Sequence, residues 1–230
     1  MRKWMIAATA AMALSPLANA QQAGPYARMV VIQPKPGQGA EFEAGYERHL
    51  GWHKKAEDSW TWYGWSFVLG DRLGLFMDGT FGHAMADFDA AVQPAADQAD
   101  NAVNVTPHAD FLSHGIYKRL DNASAGAPLP DTSPFLALST YQIAPGEEAA
   151  FERLLAAQRS KADKAARFTW YRLQIGGEAP RYVLMRPAAS FAAAAELPEA
   201  APAASMVRSV RLELLRYCEN LSYRPSPASR

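Results

Sequence analysis

The chain of 230 residues contains one cysteine, Cys218, which excludes a disulfide bond within the chain. A hydrophobic core must therefore hold the fold together. A lone thiol could join two chains, but a free cysteine more often behaves as a small buried apolar residue. An excess of charge is also absent, because 23 Lys and Arg residues balance 23 Asp and Glu residues. This balance argues against nucleic-acid binding, which calls for a clustered basic surface.

Long hydrophobic runs are missing as well. The apolar stretch 4–14 is shorter than the roughly 20 residues that a membrane-spanning helix needs, and no later segment approaches that length, so we expect no membrane insertion. This stretch follows Arg2 and Lys3 and precedes Ala18-Asn19-Ala20, a small-x-small cleavage site. Such a layout is typical of a secretory signal peptide. We expect residues 1–20 to be removed after Ala20 and the mature protein to be periplasmic or secreted.

Two segments of the chain resemble each other. The segment QPKPGQGAEFEAGYERHL begins at Gln33, and QIAPGEEAAFERLLAAQR begins at Gln142; they share Gln, Pro, Gly, Phe and Glu at a constant offset. The triplet Thr-Trp-Tyr then recurs at Thr61 and at Thr169. Ordered matches of this kind indicate an internal repeat. We therefore interpret the chain as two copies of one unit.

Each copy has the pattern strand, helix, strand, strand, helix, strand, as judged from apolar periodicity and from Pro and Gly punctuation. The first copy is predicted to contain strands Arg28–Gln33, Thr61–Leu69, Leu73–Asp78 and Ser113–Leu120, and helical stretches Ala40–Glu57 and Ala84–Ala102. A stretch rich in Pro, Gly and Ser separates the copies. The predicted units are therefore residues 21–122 and residues 134–230, joined by a linker at residues 123–133.

This element order is that of the ferredoxin-like unit, an antiparallel sheet with both helices on one face. The other face must be covered, and two tandem copies can cover each other. The chain therefore resembles the dimeric α+β barrel superfamily, which includes antibiotic-biosynthesis-type monooxygenases and NIPSNAP-like proteins. The resemblance implies an α+β fold in which two tandem ferredoxin-like units pack sheet to sheet as an intrachain barrel. It lies in element order and duplication, and no catalytic motif of the family can be matched here.

The stretch YERHLGWHKK, which begins at Tyr46, carries two of the five histidines. At about 100° per residue on a helix, His49 and His53 lie in the same apolar stripe as Tyr46 and should face the sheet. The second copy has Gln158 and Ala162 at the equivalent positions. We therefore expect a plain core beneath the helix of the second copy and two imidazoles beneath that of the first.

The strand that starts at Thr61 has two faces. We expect Tyr63 and Trp65 to lie beneath the helices, and Trp62 to meet the other sheet. In the family that the chain resembles, the small-molecule cavity commonly lies between the helices and the sheet of one unit. That placement implies a pocket in the first unit. The candidate catalytic residues are His49 and His53, and the candidate ligand-binding residues are Tyr46, Tyr63 and Trp65.

Other roles for the two histidines remain open. Histidines four residues apart on a helix can share a metal ion, but a His-Glu-x-x-His pattern is absent. A third ligand would have to come from His83, His108, His114 or Asp78. The resemblance also raises haem bound by a helix histidine, yet a Cys-x-x-Cys-His attachment motif is missing. We therefore expect no metal and no cofactor, and simple core histidines are a further alternative.

The sequence favours binding or modification of a small apolar or aromatic molecule, and it leaves open whether the chain is an enzyme. Histidine titrates near neutrality and suits proton transfer, and aromatic side chains supply contact area in a binding pocket. The alternative is a non-enzymatic envelope scaffold that binds a partner protein, and a homodimer is compatible with the sequence. A cavity beneath the histidines would favour the pocket, whereas a solid core would favour a structural role.

Overall fold

Eight antiparallel strands form one closed barrel in the computed structural model, which describes residues 24–198 and 205–225. The strands are β1 (Tyr26–Pro34), β2 (Tyr63–Leu69), β3 (Phe76–His83), β4 (Ala109–Arg119), β5 (Phe135–Ile143), β6 (Thr169–Ile175), β7 (Arg181–Ala188) and β8 (Val207–Tyr217). Around the barrel they follow the order β1-β3-β2-β8-β5-β7-β6-β4, and β4 pairs with β1 to close it. The predicted signal peptide lies outside the described residues.

Four α-helices flank the barrel in the part of the chain that the structure describes. They are α1 (Gly39–Lys55), α2 (Pro94–Asn104), α3 (Glu148–Lys161) and α4 (Phe191–Ala195). The helical stretch predicted from residue 84 to residue 102 is divided into a short 3-10 helix, Met85–Ala90, and α2. Pro94 begins α2 because proline lacks an N–H group and its fixed φ suits the first turn. None of these helices is long and apolar enough to cross a lipid bilayer.

Both halves of the barrel have the strand order of a ferredoxin-like sheet. In the first half the order is β4-β1-β3-β2, and in the second it is β8-β5-β7-β6, read in the same direction around the barrel. The two sheets meet edge to edge, through β2 with β8 and through β4 with β6. The barrel is as predicted, but the sheets join at their edges instead of stacking face to face. Edge pairing gives hydrogen-bond partners to strands that would otherwise be exposed.

The same turn leads from the first strand to the first helix in each half. Gly37 and Gly146, each of which follows a proline, have φ angles of +77° and +89°. This left-handed region is readily accessible only to glycine. The repeated Pro-Gly pairs of the sequence therefore have the same conformational role in both halves.

Three clusters of buried side chains stabilise the structure. One fills the barrel and takes residues from both halves, among them Met29, Trp65, Phe67, Leu138, Tyr171 and Met185. The other two lie between each sheet and its helices. Phe42, Tyr46, Trp62 and Phe76 belong to the cluster beneath α1, and Phe151, Leu155, Trp170 and Tyr182 belong to the cluster beneath α3.

The prediction for the two faces of β2 is wrong. Trp65 is 1% exposed and packs inside the barrel together with the half-buried Tyr63, whereas Trp62 lies beneath α1. Aromatic residues lie on both sides of this segment, with Trp62 just before the strand and Tyr63, Trp65 and Phe67 within it. A two-residue period therefore separates the faces without telling which one a helix covers. Tyr63 and Trp65 are consequently on the opposite side of the sheet from the two histidines.

The connection between the halves packs against the barrel. Leu129 is 1% exposed and belongs to the interior cluster. Its amide donates a hydrogen bond to Thr169 Oγ1 (2.9 Å), and its carbonyl accepts one from Tyr171 Oη (2.5 Å). These contacts fix the segment predicted as a linker against β6.

Candidate functional site

Helix α1 lays one face on the sheet of the first half. His49 and His53 are each 4% exposed, so the prediction that both lie on the buried face is confirmed. Tyr46 precedes them on this face, and its hydroxyl donates a hydrogen bond to Asp78 Oδ2 on β3 (2.8 Å). The chain thus buries two imidazoles, a phenol and a carboxyl group beneath one helix. Buried polar groups need partners, and those partners determine what the site can do.

His53 is oriented by a carboxylate. Its Nδ1 donates to Asp58 Oδ2 (2.8 Å), which also accepts from Trp62 Nε1 (2.9 Å), while Asp58 Oδ1 accepts from the Trp60 amide (3.0 Å). Burial tends to raise the pKa of Asp58, but these hydrogen bonds outweigh it and lower the pKa. Because Asp58 is an ionised acceptor, the ring proton of His53 lies on Nδ1. A neutral His53 therefore has its lone pair on Nε2.

His49 has a similar arrangement with groups of α2. Its Nδ1 lies 2.9 Å from Asp100 Oδ1, which also accepts from Asn104 Nδ2. Burial lowers the pKa of His49, although the hydrogen bond to Asp100 opposes the shift. Its Nε2 accepts a hydrogen bond from Asn101 Nδ2 (2.9 Å). His49 is therefore a neutral imidazole whose lone pair, like that of His53, is on Nε2.

The Nε2 atoms of His49 and His53 lie close to each other and to a third acceptor. His49 Nε2 and His53 Nε2 lie 3.3 Å apart. Asp97 Oδ1 lies 3.3 Å from the first and 3.7 Å from the second. This oxygen is buried and has no hydrogen-bond partner in the described ranges. Three electron-pair donors thus surround one point, in a grouping that could hold a metal ion.

The α2 contribution was missed by the sequence analysis. Asp97, Asp100, Asn101 and Asn104 follow the spacing i, i+3, i+4, i+7, which puts them on one face of a helix. A polar stripe of this kind normally faces solvent, but here it faces α1. The stripe would have been a usable signal had it been paired with the two buried histidines.

Other candidate third ligands do not join the pair. His83 Nε2 is hydrogen-bonded to Thr80 Oγ1 (2.6 Å), and His108 Nδ1 donates to Gln38 Oε1 (2.8 Å). His114 and Asp78 line the same cavity as the histidines without forming part of the close triad.

A cavity of about 100 Å³ lies between α1, α2 and the sheet. Its walls include Tyr46, His49, His53, Trp62 and Asp97, with Arg28 and Asp78 from the sheet and Phe111 and His114 from β4. Neither Tyr63 nor Trp65 lines it. Phe111 and His114 are solvent-exposed residues, so the cavity reaches the surface at β4. The site is thus neither a solid core nor the aromatic pocket that the sequence predicted.

Arg28 and Asp78 form the sheet side of this cavity. Arg28 Nε and Asp78 Oδ1 are buried and have no hydrogen-bond partner within residues 24–198 and 205–225. The Arg28 guanidinium lies 4.6 Å from the ring centroid of Trp62, a cation–π contact. Burial lowers the pKa of Arg28. Burial also raises the pKa of Asp78 to about 6, against the opposing effects of the Tyr46 hydroxyl and Arg28.

The second half has a cavity at the corresponding place with different chemistry. It has a volume of about 180 Å³ and is lined by Leu155, Gln158, Ala162, Phe168, Trp170, Leu184, Arg186 and Pro198. Gln158 and Ala162 line it at the positions that the sequence comparison equates with the histidines, but the plain core predicted beneath this helix is replaced by a cavity. The cluster of imidazoles and carboxylates therefore belongs to the first half alone within the described chain.

A third cavity, of about 450 Å³, opens at one end of the barrel. Its floor is apolar and includes Met29 and Met77, while its rim carries Arg72, Arg181 and Arg211. Arg72 is paired with Glu213, and Arg211 lies 3.7 Å from Asp71. This cavity is larger than the one beneath α1, but its lining holds none of the unpartnered buried polar atoms of the described residues.

No protein-family model matches the chain, and no curated protein matches it in sequence. Solved structures do share its architecture. A candidate monooxygenase from Lactobacillus acidophilus NCFM is 10% identical with a TM-score of 0.58, over 88% of this chain and 97% of the other. A chlorite dismutase variant from Candidatus Nitrospira defluvii is 10% identical with a TM-score of 0.57, over 85% and 91%. An anthrone oxidase-like protein is 8% identical with a TM-score of 0.56, over 88% and 94%.

The fold is that of the dimeric α+β barrels. At identities of 8–10% the similarity concerns the fold alone. It supports the predicted α+β barrel fold, whereas membership of the superfamily and the likeness to NIPSNAP-like proteins stay predictions.

Proposed function

We propose that the chain binds or modifies a small molecule, and that it does so in the cavity beneath α1 and α2. The observation that carries the proposal is that Arg28 Nε, Asp78 Oδ1 and Asp97 Oδ1 are buried there without partners among the described residues. Leaving such a group unsatisfied costs about 1–3 kcal/mol, and more when it is charged. An acceptor oxygen at Arg28 Nε, with a hydrogen-bond donor or a cation at the two carboxylate oxygens, would remove the cost. His49 and His53 would then serve in proton transfer at the same place.

The ligand class follows from volume and charge. A cavity of about 100 Å³ is much smaller than the roughly 300–1,000 Å³ typical of drug-sized ligands. Arg28 Nε can only donate a hydrogen bond. At Arg28 the site therefore favours a molecule of a few non-hydrogen atoms with an anionic or carbonyl oxygen, such as formate or nitrite, whereas Asp78 Oδ1 and Asp97 Oδ1 need a hydrogen-bond donor or a cation. An aromatic ligand, as predicted from the sequence, is favoured less.

The fold is compatible with this proposal. Proteins that share it carry the names monooxygenase, anthrone oxidase-like protein and chlorite dismutase, which are names of small-molecule enzymes. We propose in addition that the two halves arose by duplication of one ferredoxin-like unit. We also propose that residues 1–20 direct export, and N-terminal sequencing of protein isolated from the producing cells tests that cleavage follows Ala20.

Tryptophan fluorescence provides the test of the ligand class. Because Arg28 stacks on Trp62, formate or nitrite bound at the guanidinium should change the emission in a saturable way. We expect Arg28→Gln to abolish the response and Arg28→Lys to weaken it. The control is Arg211→Gln, which removes an arginine from the barrel-end cavity and should leave the response intact. A response that survives Arg28→Gln, or the lack of any response in the parent protein, would contradict the proposal.

A partner-binding scaffold is the second candidate function. Leu112, Ile175 and Leu212 are 53%, 61% and 63% exposed, although all three are large apolar residues on strands. Exposed apolar surface is common at protein interfaces. The test is the molecular mass measured by light scattering coupled to gel filtration. A dimer that Leu212→Glu converts to a monomer would favour this function. A monomeric parent protein would count against a homodimer.

A further inference from the structure

We infer that His49, His53 and Asp97 form a binding site for a divalent first-row transition metal ion of the zinc, cobalt or iron class. The inference deepens the proposed function and rests on it, since the ion would share the small-molecule cavity. The atoms involved are different, however. The anion is assigned to Arg28 on the sheet, and the metal to the two imidazoles and the carboxylate where α1 faces α2.

The spacing of the three donor atoms fits a metal ion. The separations of 3.3, 3.3 and 3.7 Å define a triangle whose corners lie about 2.0 Å from its centre. Zinc lies roughly 2.0–2.2 Å from imidazole nitrogen and carboxylate oxygen. Three corners of a tetrahedron with such bond lengths lie about 3.4 Å apart. An ion placed just above the triangle would therefore reach all three atoms without any of them moving.

The proton positions also fit a cation. Each ring uses Nδ1 to donate to a carboxylate, His49 to Asp100 and His53 to Asp58. Both Nε2 atoms consequently offer a lone pair near the same place, although that of His49 accepts from Asn101, and an anionic oxygen of Asp97 that has no partner in the described chain lies beside them. Three electron-rich atoms within 3.7 Å repel one another unless a cation lies among them.

The carboxylates behind the rings form the support that metal-binding histidines usually have. A ligating imidazole nearly always donates its other N–H to a carboxylate, carbonyl or water, which fixes its orientation and raises its basicity. Asp58 is itself held by the Trp60 amide and the Trp62 indole, and Asp100 by Asn104. The imidazoles are therefore held in place before any ion arrives.

The charge around the site favours a cation. Three carboxyl groups, those of Asp58, Asp97 and Asp100, contact the two histidines, whereas the Arg28 guanidinium lies on the sheet side as the single permanent cation that contacts the cavity among the residues described. Burial of this excess negative charge is costly. A divalent ion would offset most of it.

Two consequences follow for the bound state. Asn101 donates to the lone pair of His49 Nε2, so it must give up this hydrogen bond when an ion binds. Three protein ligands also leave at least one coordination position for water or a small molecule, which is the pattern of catalytic rather than structural zinc sites. Two histidines and one carboxylate are also the ligand set of many iron sites.

Titration of chelator-treated protein with Co(II) tests the inference. We expect one Co(II) per chain, the visible absorption bands of a low-symmetry tetrahedral site, and displacement by Zn(II). His49→Ala and Asp97→Asn should each weaken binding by more than the roughly 10–100-fold expected for loss of a supporting residue. Asp97 is partly exposed and Asn has the same size, so this variant should fold. Gln158→Ala, at the equivalent position of the second half, is the matched control and should bind Co(II) normally.

The possible results distinguish a failure of the metal site from a failure of the anion site. Absence of Co(II) and Zn(II) binding in the parent protein, or undiminished binding by Asp97→Asn, would overturn the inference. A persisting, Arg28-dependent response to formate would then show that the proposed function survives without a metal. Conversely, stoichiometric Co(II) binding that requires His49 and Asp97 but not Arg28 would support the metal site even if neither formate nor nitrite binds.

Discussion

His49 Nε2 and His53 Nε2 lie 3.3 Å apart, while Nδ1 of each ring is hydrogen-bonded to a different carboxylate. Here Nδ1 of each ring is bound to a carboxylate, and both Nε2 atoms lie within 3.7 Å of Asp97 Oδ1 around one shared point, although His49 Nε2 also accepts from Asn101. The chemistry of the first half is therefore determined by what occupies that point.

Loss of the carboxylate behind His53 should weaken metal binding without removing a ligand. Asp58→Asn replaces an anionic acceptor by a neutral amide, which lowers the basicity of His53 Nε2 and loosens the ring. We expect the affinity for Zn(II), measured by competition with a chromophoric chelator, to fall about 10–100-fold. Asp121→Asn, whose side chain is 71% exposed, serves as the control. Equal affinities in the two variants would argue against a supporting role for Asp58.

The two faces of β2 should respond differently to the same substitution. Trp62→Phe removes the indole N–H that binds Asp58, so Zn(II) affinity should drop several-fold. Trp65→Phe leaves a gap inside the barrel, where Trp65 is 1% exposed, so the free energy of unfolding should fall by about 1–3 kcal/mol. Zn(II) affinity should stay unchanged in that variant. Both variants are measured by denaturant unfolding and by Zn(II) competition. A loss of Zn(II) affinity in Trp65→Phe would contradict the prediction that this residue supports stability and not the metal site.

The sequence correctly predicted side-chain positions where one hydrophobic period alone decides which face of an element is buried. The 100° advance per residue put His49 and His53 beneath α1, since one stripe of that helix is apolar and the rest is charged. It failed for Trp62, Tyr63 and Trp65, because these aromatic residues alternate between the two sides of the segment and alternation alone does not say which side a helix covers. It failed on Asp97 for a related reason, since whether the polar stripe of α2 meets water or another helix depends on tertiary packing.

Close contact between α1 and α2 should depend on Gly45. A Cβ at this position would lie 1.9 Å from the carbonyl oxygen of Asn104, so alanine must push α2 away and displace Asp97 with it. We expect Gly45→Ala to lower the melting temperature and to weaken Zn(II) binding at least about tenfold. Gly51→Ala on the same helix has no atom within 4 Å of the new Cβ. It should stabilise the protein by up to about 1 kcal/mol and bind Zn(II) normally, and a similar loss in both variants would exclude the packing explanation.

The buried carboxyl of Asp78 should make stability depend on pH in a defined direction. Burial raises its pKa from 3.8 to about 6, so between these values the folded state holds a proton that the unfolded state has released. Stability is therefore lost as pH rises through this window, by about 3 kcal/mol at most. The charged and titratable groups that face Asp78 are Arg28, Tyr46, His53 and Asp97.

Asp78→Asn removes this dependence and keeps an acceptor for Tyr46. In chelator-treated protein, urea unfolding should show the variant gaining on the parent from about pH 4 to pH 6, with a constant advantage above that. The measurement is the difference in unfolding free energy at several pH values. A variant that is equally destabilised at every pH would mean that Asp78 is ionised throughout and is needed as an anion.

Asn101 donates to the His49 lone pair and so competes with a metal ion for it. Asn101→Asp should replace this donor by a carboxylate that can itself bind the ion. Asn101 Nδ2 lies 2.9 Å from His49 Nε2, so a carboxylate oxygen there would be within the separation of neighbouring ligands on one ion. Without metal, the extra anion beside Asp97 and Asp100 should lower the melting temperature. With Zn(II) it should raise affinity tenfold or more, because it completes a four-ligand set. Thermal unfolding with and without Zn(II) measures both effects, and a variant whose melting temperature Zn(II) shifts no more than the parent's would contradict the placement of the ion beside His49.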